Sequence, residues 1–273
     1  MSYNLQKKQA LEKPGISAII ITFNEALSIE RCLSSIVGIA DEIIVVDSFS
    51  TDATKDICSR FNMRFIQHPF EGYVEQKNYA LSMALHSYVL SLDGDEALSD
   101  ELKKSILRIK DNPESDGYYF NRLNSFCGRW MRYSKWYPDR HLRLFNSSKG
   151  KWVGPNPHDR FMLDPDCKTT RLKGDLLHWS CDSLDESIAK SISFSDIGAK
   201  EAFKKRKKTT IFTPPIHFMW RLFLTYVLHL GFLDGRDGWT VCLMGAKSSY
   251  LKYTGLRALY REEKKNKTIS DKL

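Results

Sequence analysis

Long apolar runs and cysteine pairs are both missing from this chain of 273 residues. The most apolar stretch, residues 216–233, is interrupted by an arginine and two histidines, so we predict no transmembrane helix. Residues 1–14 are polar and lack the apolar segment of a secretory signal, and we expect them to be flexible. The six cysteines form no C-x-x-C pair, which argues against structural zinc and suggests a reducing compartment. These features together predict a cytoplasmic protein.

The positive charge is unevenly distributed along the chain. The formal net charge is +8. Residues 200–273 contain 16 Lys or Arg against 6 Asp or Glu, whereas residues 1–199 contain 25 against 27. A basic segment can bind nucleic acid, anionic lipid or an anionic substrate, or it can be a solvated tail. We interpret residues 262–273 as such a tail and leave the other possibilities open for the rest of the segment.

β-branched runs alternate with helical patterns over the first hundred residues. Strands are predicted at residues 16–22, 42–47, 64–66 and 88–92, and helices at residues 28–37, 55–61, 75–86 and 99–110. This alternation indicates an α/β fold, in which a mostly parallel sheet carries helices on both faces. In such sheets the functional groups gather at the carboxyl ends of the strands. The residues that follow three of these strands are therefore expected to converge: Asn24 and Glu25, Asp47, and the pair Asp93 and Asp95.

The pattern changes after residue 112. Residues 117–120, 141–145 and 175–179 are predicted strands, and the first two flank a loop rich in aromatic and basic residues. Residues 151–159 are rich in turn formers and are expected to form a loop. A helix is predicted at residues 184–205, and aromatic-rich helices follow from residue 214 to about residue 260. We therefore expect an α/β domain at residues 15–200 and a helical C-terminal region at residues 201–273.

The acidic pair Asp93 and Asp95 is the strongest candidate for a functional site. Both carboxylates follow a predicted strand with one glycine between them, where they can face the same cation. Hard divalent ions such as Mg²⁺ or Mn²⁺ take these oxygen ligands and keep open positions for phosphate oxygens. The pair could instead be an acidic turn before the helix at residue 99. We favour the metal site because the pair follows the fourth strand of the sheet.

Asp47 ends the second predicted strand in the same way. An acidic residue at this place can accept hydrogen bonds from a base or a ribose. Ser50 just after it could bind a ligand or simply cap the next helix. Lys77 opens a predicted helix, where it could contact a phosphate as a point charge or be solvated. Spacing alone leaves the roles of Ser50 and Lys77 open.

Two histidines and a third aspartate are further candidates. His158 and Asp159 lie in the loop rich in turn formers, where either could act as a general base or belong to an ordinary surface loop. His178 ends a predicted strand as a structural histidine or as a third metal ligand, since imidazole also binds Mn²⁺. The residues alone do not decide between these roles.

Several segments together resemble family 2 glycosyltransferases of the GT-A fold. They are ISAIIITFNE (16–25), EIIVVDSFSTDAT (42–54), QKNYAL (76–81) and LSLDGDE (90–96). A second set is similar to the branch that contains bacterial lipopolysaccharide-core glycosyltransferases of the WaaE/KdtX type: RHLRLF (140–145), WVGPNPHD (152–159), LLH (176–178) and GFLDGRDG (231–238). The resemblance covers about residues 15–255. It implies a GT-A catalytic domain with a Rossmann-like nucleotide-binding sheet.

The resemblance also implies roles for the candidate residues. A nucleotide-sugar donor would be bound by Thr22, Asn24, Glu25, Asp47, Ser50, Lys77 and Asp93. A divalent ion, Mg²⁺ or Mn²⁺, would be bound by Asp93, Asp95 and His178. Asp159 would be the general base of an inverting enzyme. This branch usually has Glu after the histidine at position 158, whereas this chain has the shorter Asp159, so the position departs from the pattern.

The implied reaction moves a hexose, glucose in our expectation, from a UDP-sugar to a lipid-anchored glycan such as the lipopolysaccharide core or a related cell-envelope glycan. Basic residues 204–208 followed by aromatic-rich helices are typical of a protein at an anionic membrane surface. We therefore expect a peripheral position on the inner face of the cell membrane. The helices could instead pack on the catalytic domain or form a dimer seam.

The sequence alone is also compatible with two other classes of function. A sugar-nucleotide nucleotidyltransferase would share the sheet and the acidic metal site, but it normally has a Gly-rich basic loop where this chain has TFNEA (22–26). A non-catalytic nucleic-acid-binding protein would use the basic C-terminal segment, but acidic residues at three strand ends argue against it. We expect no nucleic-acid partner.

Overall fold

The computed structural model describes residues 15–155, 159–181 and 183–270. The chain divides into two compact units, each made of two segments: Met1–Leu123 with Pro138–Trp179, and Asn124–Tyr137 with Ser180–Leu273. The boundary expected from the sequence after residue 200 falls inside a helix that spans Leu184–Lys204, and the second unit begins earlier along the chain.

Four parallel strands form one half of the sheet: β1 (Ile16–Thr22), β2 (Glu42–Asp47), β3 (Arg64–Gln67) and β4 (Tyr88–Asp93). β1 lies between β2 and β4, and β3 pairs with the outer side of β2. All residues of β1 are buried, as its β-branched sequence predicts for a central strand. The predicted α/β fold is confirmed, and this half of the sheet is parallel. β4 pairs antiparallel with the strand on its other side, so the whole sheet is mixed and not mostly parallel.

Seven further strands follow: β5 (Glu96–Leu98), β6 (Gly117–Phe126), β7 (Arg129–Trp130), β8 (Asp139–Asn146), β9 (Gly150–Val153), β10 (Arg160–Leu163) and β11 (Thr169–Cys181). In the described part of the chain the main sheet has the order β3-β2-β1-β4-β8-β6-β11-β5, and β7 pairs with β6. β9 and β10 form a separate antiparallel pair. The sequence pattern predicts none of β5, β7, β9 and β10, which have two to four residues each. Residues 151–153 of the expected loop are therefore strand.

Helices cover both faces of the sheet in the first unit: α1 (Ile29–Ile36), α2 (Thr54–Cys58), α3 (Tyr73–Ser82) and α4 (Asp100–Lys110). Ile16, Ala18 and Ile20 of β1 share one core cluster with buried side chains of α1 and α4. Ile19 and Ile21 face a second cluster, which includes a buried alanine of α3. Alternate residues of β1 thus point to opposite faces of the sheet.

The second unit is mainly helical, with α5 (Leu184–Lys204), α6 (Thr213–Leu222) and α7 (Gly235–Ser270) in its described residues. A π-helical turn (Phe223–Leu228) and a 3₁₀ turn (Gly231–Asp234) separate α6 from α7, and both α5 and α6 pack against α7. The buried carboxylate of Asp234 accepts hydrogen bonds from the N–H groups of Arg132 (3.2 Å) and Tyr133 (3.0 Å). Asp234 therefore fixes the loop between β7 and β8.

Among the described residues, no single helix is both long enough and apolar enough to span a membrane. One pair of helices, Thr213–Leu228 with Gly231–Asn266, meets the criteria of length and composition together, and it is bent by 72°.

Candidate functional site

Hydrogen bonds join the segments that follow β1 and β2. Asn24 has a left-handed backbone conformation (φ 56°), which asparagine adopts more readily than most residues. Its N–H donates to the Ser50 hydroxyl (2.8 Å), and its Oδ1 accepts from the Thr51 N–H (2.8 Å). The side chain of Asn24 therefore fixes the two loops against each other.

Asp47 is fully buried at the end of β2 and accepts hydrogen bonds from its own loop. Its carboxylate accepts from the Ser50 N–H (2.9 Å), from the Ser50 hydroxyl and from the Gln67 side chain (3.4 Å). Three of the expected donor-binding residues, Asn24, Asp47 and Ser50, thus come together in one network. In this structure they shape the loops beside the cleft, whereas other residues line it.

A cleft of about 550 Å³, which we call the strand-end cleft, opens at the carboxyl ends of β1 and β4. Its polar lining consists of Thr22, Glu25, Ser48, Gln76, Asp93, Asp95 and His178. Three exposed aromatic side chains, Phe23, Phe70 and Tyr73, complete one part of the wall. The sequence pattern does not single out these aromatic residues, because an aromatic residue beside a turn carries no signal of exposure.

Gly94 lets the acidic turn approach the end of β1. A Cβ atom at this position would lie 3.1 Å from Cγ of Glu25 and 3.2 Å from the Thr22 hydroxyl, which is tighter than ordinary van der Waals contact. The Thr22 hydroxyl itself is buried and has no hydrogen-bond partner within the described ranges. The glycine between the two aspartates therefore allows the acidic turn to lie close to Thr22 and Glu25.

Each carboxylate oxygen of Asp93 contacts a different cation. Oδ1 lies 3.0 Å from Nζ of Lys77, and Oδ2 lies 2.8 Å from Nη2 of Arg143. Burial by itself would raise the pKa of Asp93, but the positive charges of Lys77 and Arg143 outweigh it and hold that pKa well below its usual range. Asp93 is therefore ionised, and both of its oxygens are paired with cations of the protein.

Lys77 joins the acidic turn to the candidate base. Its buried Nζ donates to Oδ2 of Asp159 (2.8 Å), contacts Asp93, and lies 4.7 Å from the centre of the Trp152 ring. Three candidates from separate parts of the sequence thus form one cluster. His158, the other candidate base, lies outside the described residues.

Asp95 and His178 form a second pair. Nε2 of His178 lies 3.1 Å from Oδ2 of Asp95, and both side chains line the strand-end cleft. The pairing of β11 with β5 brings them together, because His178 lies opposite Glu96 in that ladder. No group of three or more His, Cys, Asp or Glu side chains could hold a metal ion in the part of the chain that is described. The three expected metal ligands do not form one group: Asp95 is paired with His178, whereas Asp93 is paired with Lys77 and Arg143.

The chemistry of the Asp95–His178 pair nevertheless fits a divalent metal. The carboxylate suits Mg²⁺ or Mn²⁺, and the imidazole suits a transition-metal ion such as Mn²⁺, when phosphate oxygens and water supply the remaining ligands. Mg²⁺ is commonly bound in this way, through one or two side chains together with the phosphates of a nucleotide.

Glu96 and Arg143 are buried at the site, although the sequence pattern assigns them no role. Nη2 of Arg143 lies 2.6 Å from Oε1 of Glu96, and Oε2 of Glu96 accepts from the Asp93 N–H (3.0 Å). Burial would lower the pKa of Arg143, but Glu96 and Asp93 outweigh it and raise that pKa. The signal that could have revealed them is an arginine inside the apolar strand LRLF, because a buried guanidinium requires acidic partners.

Comparison with known proteins identifies related enzymes. Residues 17–165 match the family model described as glycosyl transferase family 2. An uncharacterized glycosyltransferase of Rickettsia conorii is 31% identical over 252 residues, which are 89% of each chain. Another, from Rickettsia bellii, is 32% identical over 254 residues, 89% of this chain and 86% of the relative. The lipopolysaccharide core biosynthesis glycosyltransferase LpsC of Rhizobium meliloti is 27% identical over 262 residues, 89% of this chain and 94% of the relative.

Solved structures give more distant matches. S. aureus TarS 1-349 is 16% identical with a TM-score of 0.46, covering 91% of this chain and 92% of that one. Its complex with UDP-GlcNAc gives a TM-score of 0.47 over the same shares of both chains. The family model, in contrast, covers more than half of this chain, and two relatives exceed 30% identity over most of its length. These matches decide against the nucleotidyltransferase alternative. The chain belongs to glycosyltransferase family 2, and it is a glycosyltransferase with the GT-A fold.

Proposed function

We propose that this enzyme transfers a hexose, glucose in the first instance, from a UDP-sugar to a lipid-anchored glycan with inversion at the anomeric carbon. The observation that carries the proposal is the position of Lys77, whose Nζ contacts both Asp93 (3.0 Å) and Asp159 (2.8 Å). A candidate base is thereby next to the acidic turn at which a donor diphosphate would lie. Such a juxtaposition is what group transfer in one step requires.

The strand-end cleft suits the nucleoside part of the donor. Its volume of about 550 Å³ is within the range of small-molecule sites. The exposed rings of Phe23, Phe70 and Tyr73 offer surfaces on which a base can stack. The Thr22 hydroxyl, which lacks a protein partner in the described ranges, marks a place in the wall that a polar ligand would satisfy.

The diphosphate would lie between the two charged pairs of the site. Asp95 and His178 would hold a divalent ion, which neutralises the charge that develops on the leaving diphosphate. Asp93 contacts both Lys77 and Arg143 and so holds these two cations beside the acidic turn. We therefore assign Asp93 to the positioning of cations and Asp95 to the metal.

Asp159 would act as the base. Its Oδ2 accepts a hydrogen bond from Lys77, and its Oδ1 would accept from the acceptor hydroxyl. The hydroxyl oxygen forms the new bond to the anomeric carbon while Asp159 takes its proton. The bond from that carbon to the diphosphate oxygen breaks in the same step, and its electron pair leaves with the diphosphate. The anomeric configuration is inverted because attack and departure occur on opposite faces.

The acceptor is proposed to be a lipopolysaccharide core or a related cell-envelope glycan. The support is LpsC, whose name places that relative in lipopolysaccharide core biosynthesis and which matches 89% of this chain. Such an acceptor is anchored in a membrane.

The second unit has a surface suited to an anionic membrane. Its exposed apolar side chains include Phe212, Ile216, Met219, Trp220, Phe223, Phe232 and Trp239. The same unit contains the basic run at residues 204–208. Aromatic and basic side chains together favour binding at the interface of anionic lipids. We therefore propose a peripheral position at the membrane that holds the acceptor.

A donor screen tests the proposal. The full chain is incubated with a membrane fraction that contains core glycan, and the release of nucleoside diphosphate is measured for a panel of nucleotide sugars before and after EDTA treatment. We expect release of UDP that stops with EDTA and returns with Mn²⁺. Release from no donor would contradict the proposed function, and release undiminished by EDTA would contradict its metal part alone.

A further inference from the structure

A second cleft of about 580 Å³ adjoins the strand-end cleft, and the two share Tyr73 and Asp93. We call it the basic cleft, because its lining contains five cations and two carboxylates. The cations are Lys77, Arg122, Arg140, Arg143 and Arg160, and the carboxylates are Asp93 and Asp159. The candidate base Asp159 therefore lies in a cleft whose lining contains more positive than negative side chains.

Three of the five cations have acidic partners. Lys77 and Arg143 are paired with the acids of the candidate site, as described above. Arg122 donates to Oδ2 of Asp139 (2.8 Å), which lies opposite it in the β6–β8 ladder, and it contacts Oε1 of Glu96 (3.4 Å). The charges of these three cations are thus largely balanced within the protein.

Arg140 and Arg160 are different. Neither makes an ion pair with any of the described residues, and both side chains are exposed. They come from separate strands, β8 and β10, yet both line the basic cleft. A guanidinium binds a phosphate or a carboxylate through two parallel hydrogen bonds. Two unpaired guanidinium groups in the cleft of the candidate base are suited to an anionic ligand.

We propose that the acceptor carries an anionic group, a phosphate or a carboxylate, near the hydroxyl that receives the sugar, and that Arg140 and Arg160 bind this group. The proposal rests on the proposed function, because Asp159 as base places the acceptor hydroxyl in the basic cleft. Tyr119 and Trp152, which line the same cleft, offer aromatic surface for the sugar ring. The two arginines would therefore select acceptors by charge and place the hydroxyl at Asp159.

Calorimetry on the full chain tests this proposal. UDP and Mn²⁺ are present throughout, so that the strand-end cleft is filled, and three probes are titrated at low ionic strength: methyl glucoside, glucuronic acid and glucose 6-phosphate. We expect at least one anionic probe to bind about tenfold more tightly than the neutral probe. Comparison of the two anionic probes shows whether carboxylate or phosphate is preferred. The double variant Arg140→Gln/Arg160→Gln should lose the preference.

The double variant Lys151→Gln/Arg171→Gln is the matched control. It removes two exposed positive charges of the first unit that lie outside both clefts, so the preference for anionic probes should remain. UDP alone is titrated into each protein as well. Equal binding of neutral and anionic probes by the wild type, with UDP binding intact, would overturn this inference alone. Weaker UDP binding by Arg140→Gln/Arg160→Gln would assign the arginines to the donor and also overturn it. Failure of the wild type to bind UDP would overturn the proposed function itself.

Discussion

Asp93 and Asp95 show how differently two neighbouring residues of one motif can be used. Asp93 lies between Lys77 and Arg143, whereas Asp95 lies beside His178 at the open cleft. A carboxylate between two buried cations neutralises them, and its removal leaves unpaired charge in the protein. A carboxylate at an open cleft can be removed with little effect on folding. Substitution of Asp93 is therefore expected to lower stability, whereas substitution of Asp95 is expected to lower activity with little effect on stability.

Asp93→Asn is expected to lower the free energy of unfolding by about 2 kcal/mol, less than for a fully buried pair because part of the side chain is exposed. Asp95→Asn should change it by less than about 0.5 kcal/mol while abolishing metal-dependent release of UDP. Urea unfolding and the UDP assay measure the two effects. Equal destabilisation by both substitutions would contradict the separate roles.

The lowered pKa of Asp93 predicts a specific dependence of stability on pH. Because the pKa is lower in the folded state than in the unfolded state, Asp93 contributes stability above its unfolded pKa and loses it as the pH falls through the folded value. The difference in unfolding free energy between the wild type and Asp93→Asn should be constant from about pH 7 to pH 5 and should shrink below about pH 4. Urea unfolding at several pH values checks this. A difference that already shrinks between pH 7 and pH 5 would be inconsistent with the pairing.

Asp159→Asn tests the base. We expect kcat to fall by at least about 100-fold with unchanged affinity for UDP, because the amide cannot accept the proton. Asp159→Glu, which keeps the carboxylate on a longer side chain, should retain part of the activity. Asp166→Asn is the control, since Asp166 is exposed and lines neither cleft. An unchanged kcat in Asp159→Asn would place the base elsewhere.

Residues that follow strands were the predictable part of the site. The position of Asp47, Asp93 and Asp95 depends on strand ends that a local pattern marks. The partnership of Glu96 with Arg143 could not be predicted in this way, because it depends on β8 pairing with β4. His178 lies beside Asp95 for a similar reason, since β11 pairs with β5.

At the scale of elements, Ser99 connects a helix to a strand. Its hydroxyl accepts a hydrogen bond from the Leu102 N–H (3.3 Å), which caps α4, and another from the Asp175 N–H (2.9 Å) in β11. The Ser183 hydroxyl caps α5 by accepting from the Glu186 N–H (3.2 Å), its one hydrogen bond as an acceptor among the described residues. The first serine therefore stabilises both an element and its contact with a distant strand.

Ser99→Ala is expected to cost about 2 kcal/mol of stability, and Ser183→Ala about 0.5 to 1 kcal/mol, because only the first substitution also removes the acceptor of a strand N–H. Thermal and urea unfolding of both variants measure the costs. A smaller cost for Ser99→Ala than for Ser183→Ala would show that the bond to β11 adds nothing.

Local pattern was sufficient for the first four strands, which contain apolar runs, and for α1 and α4, which have an apolar helical period. It failed for β5, β9 and β10. The conformation of these strands is set by the partner strand in the ladder and not by a local apolar pattern. The sequence pattern therefore does not predict those strands whose conformation depends on pairing with a distant part of the chain.

At the scale of the whole molecule, the exposed apolar surface of the second unit predicts binding to anionic vesicles. Trp220→Ser/Phe223→Ser should reduce co-sedimentation with phosphatidylglycerol vesicles, because it removes aromatic side chains that are 56% and 46% exposed. Val37→Ser/Leu107→Ser is the matched control in the first unit, with exposures of 60% and 45%. If the wild type does not sediment, and the variant instead changes the size measured by gel filtration, the surface is a dimer seam and not a membrane surface.

The division of the chain into interleaved segments has a consequence for how such an enzyme can diversify. β6 and β11 both begin in one unit and end in the other, and residues 124–137 interrupt the first unit. A single genetic crossover could not exchange the helical unit, because it would leave that inserted stretch behind with its old sequence. Related enzymes that use new acceptors are therefore expected to differ by point substitutions in both segments of the second unit, residues 124–137 and 180–273. Exchange of the C-terminal segment as a whole is not expected.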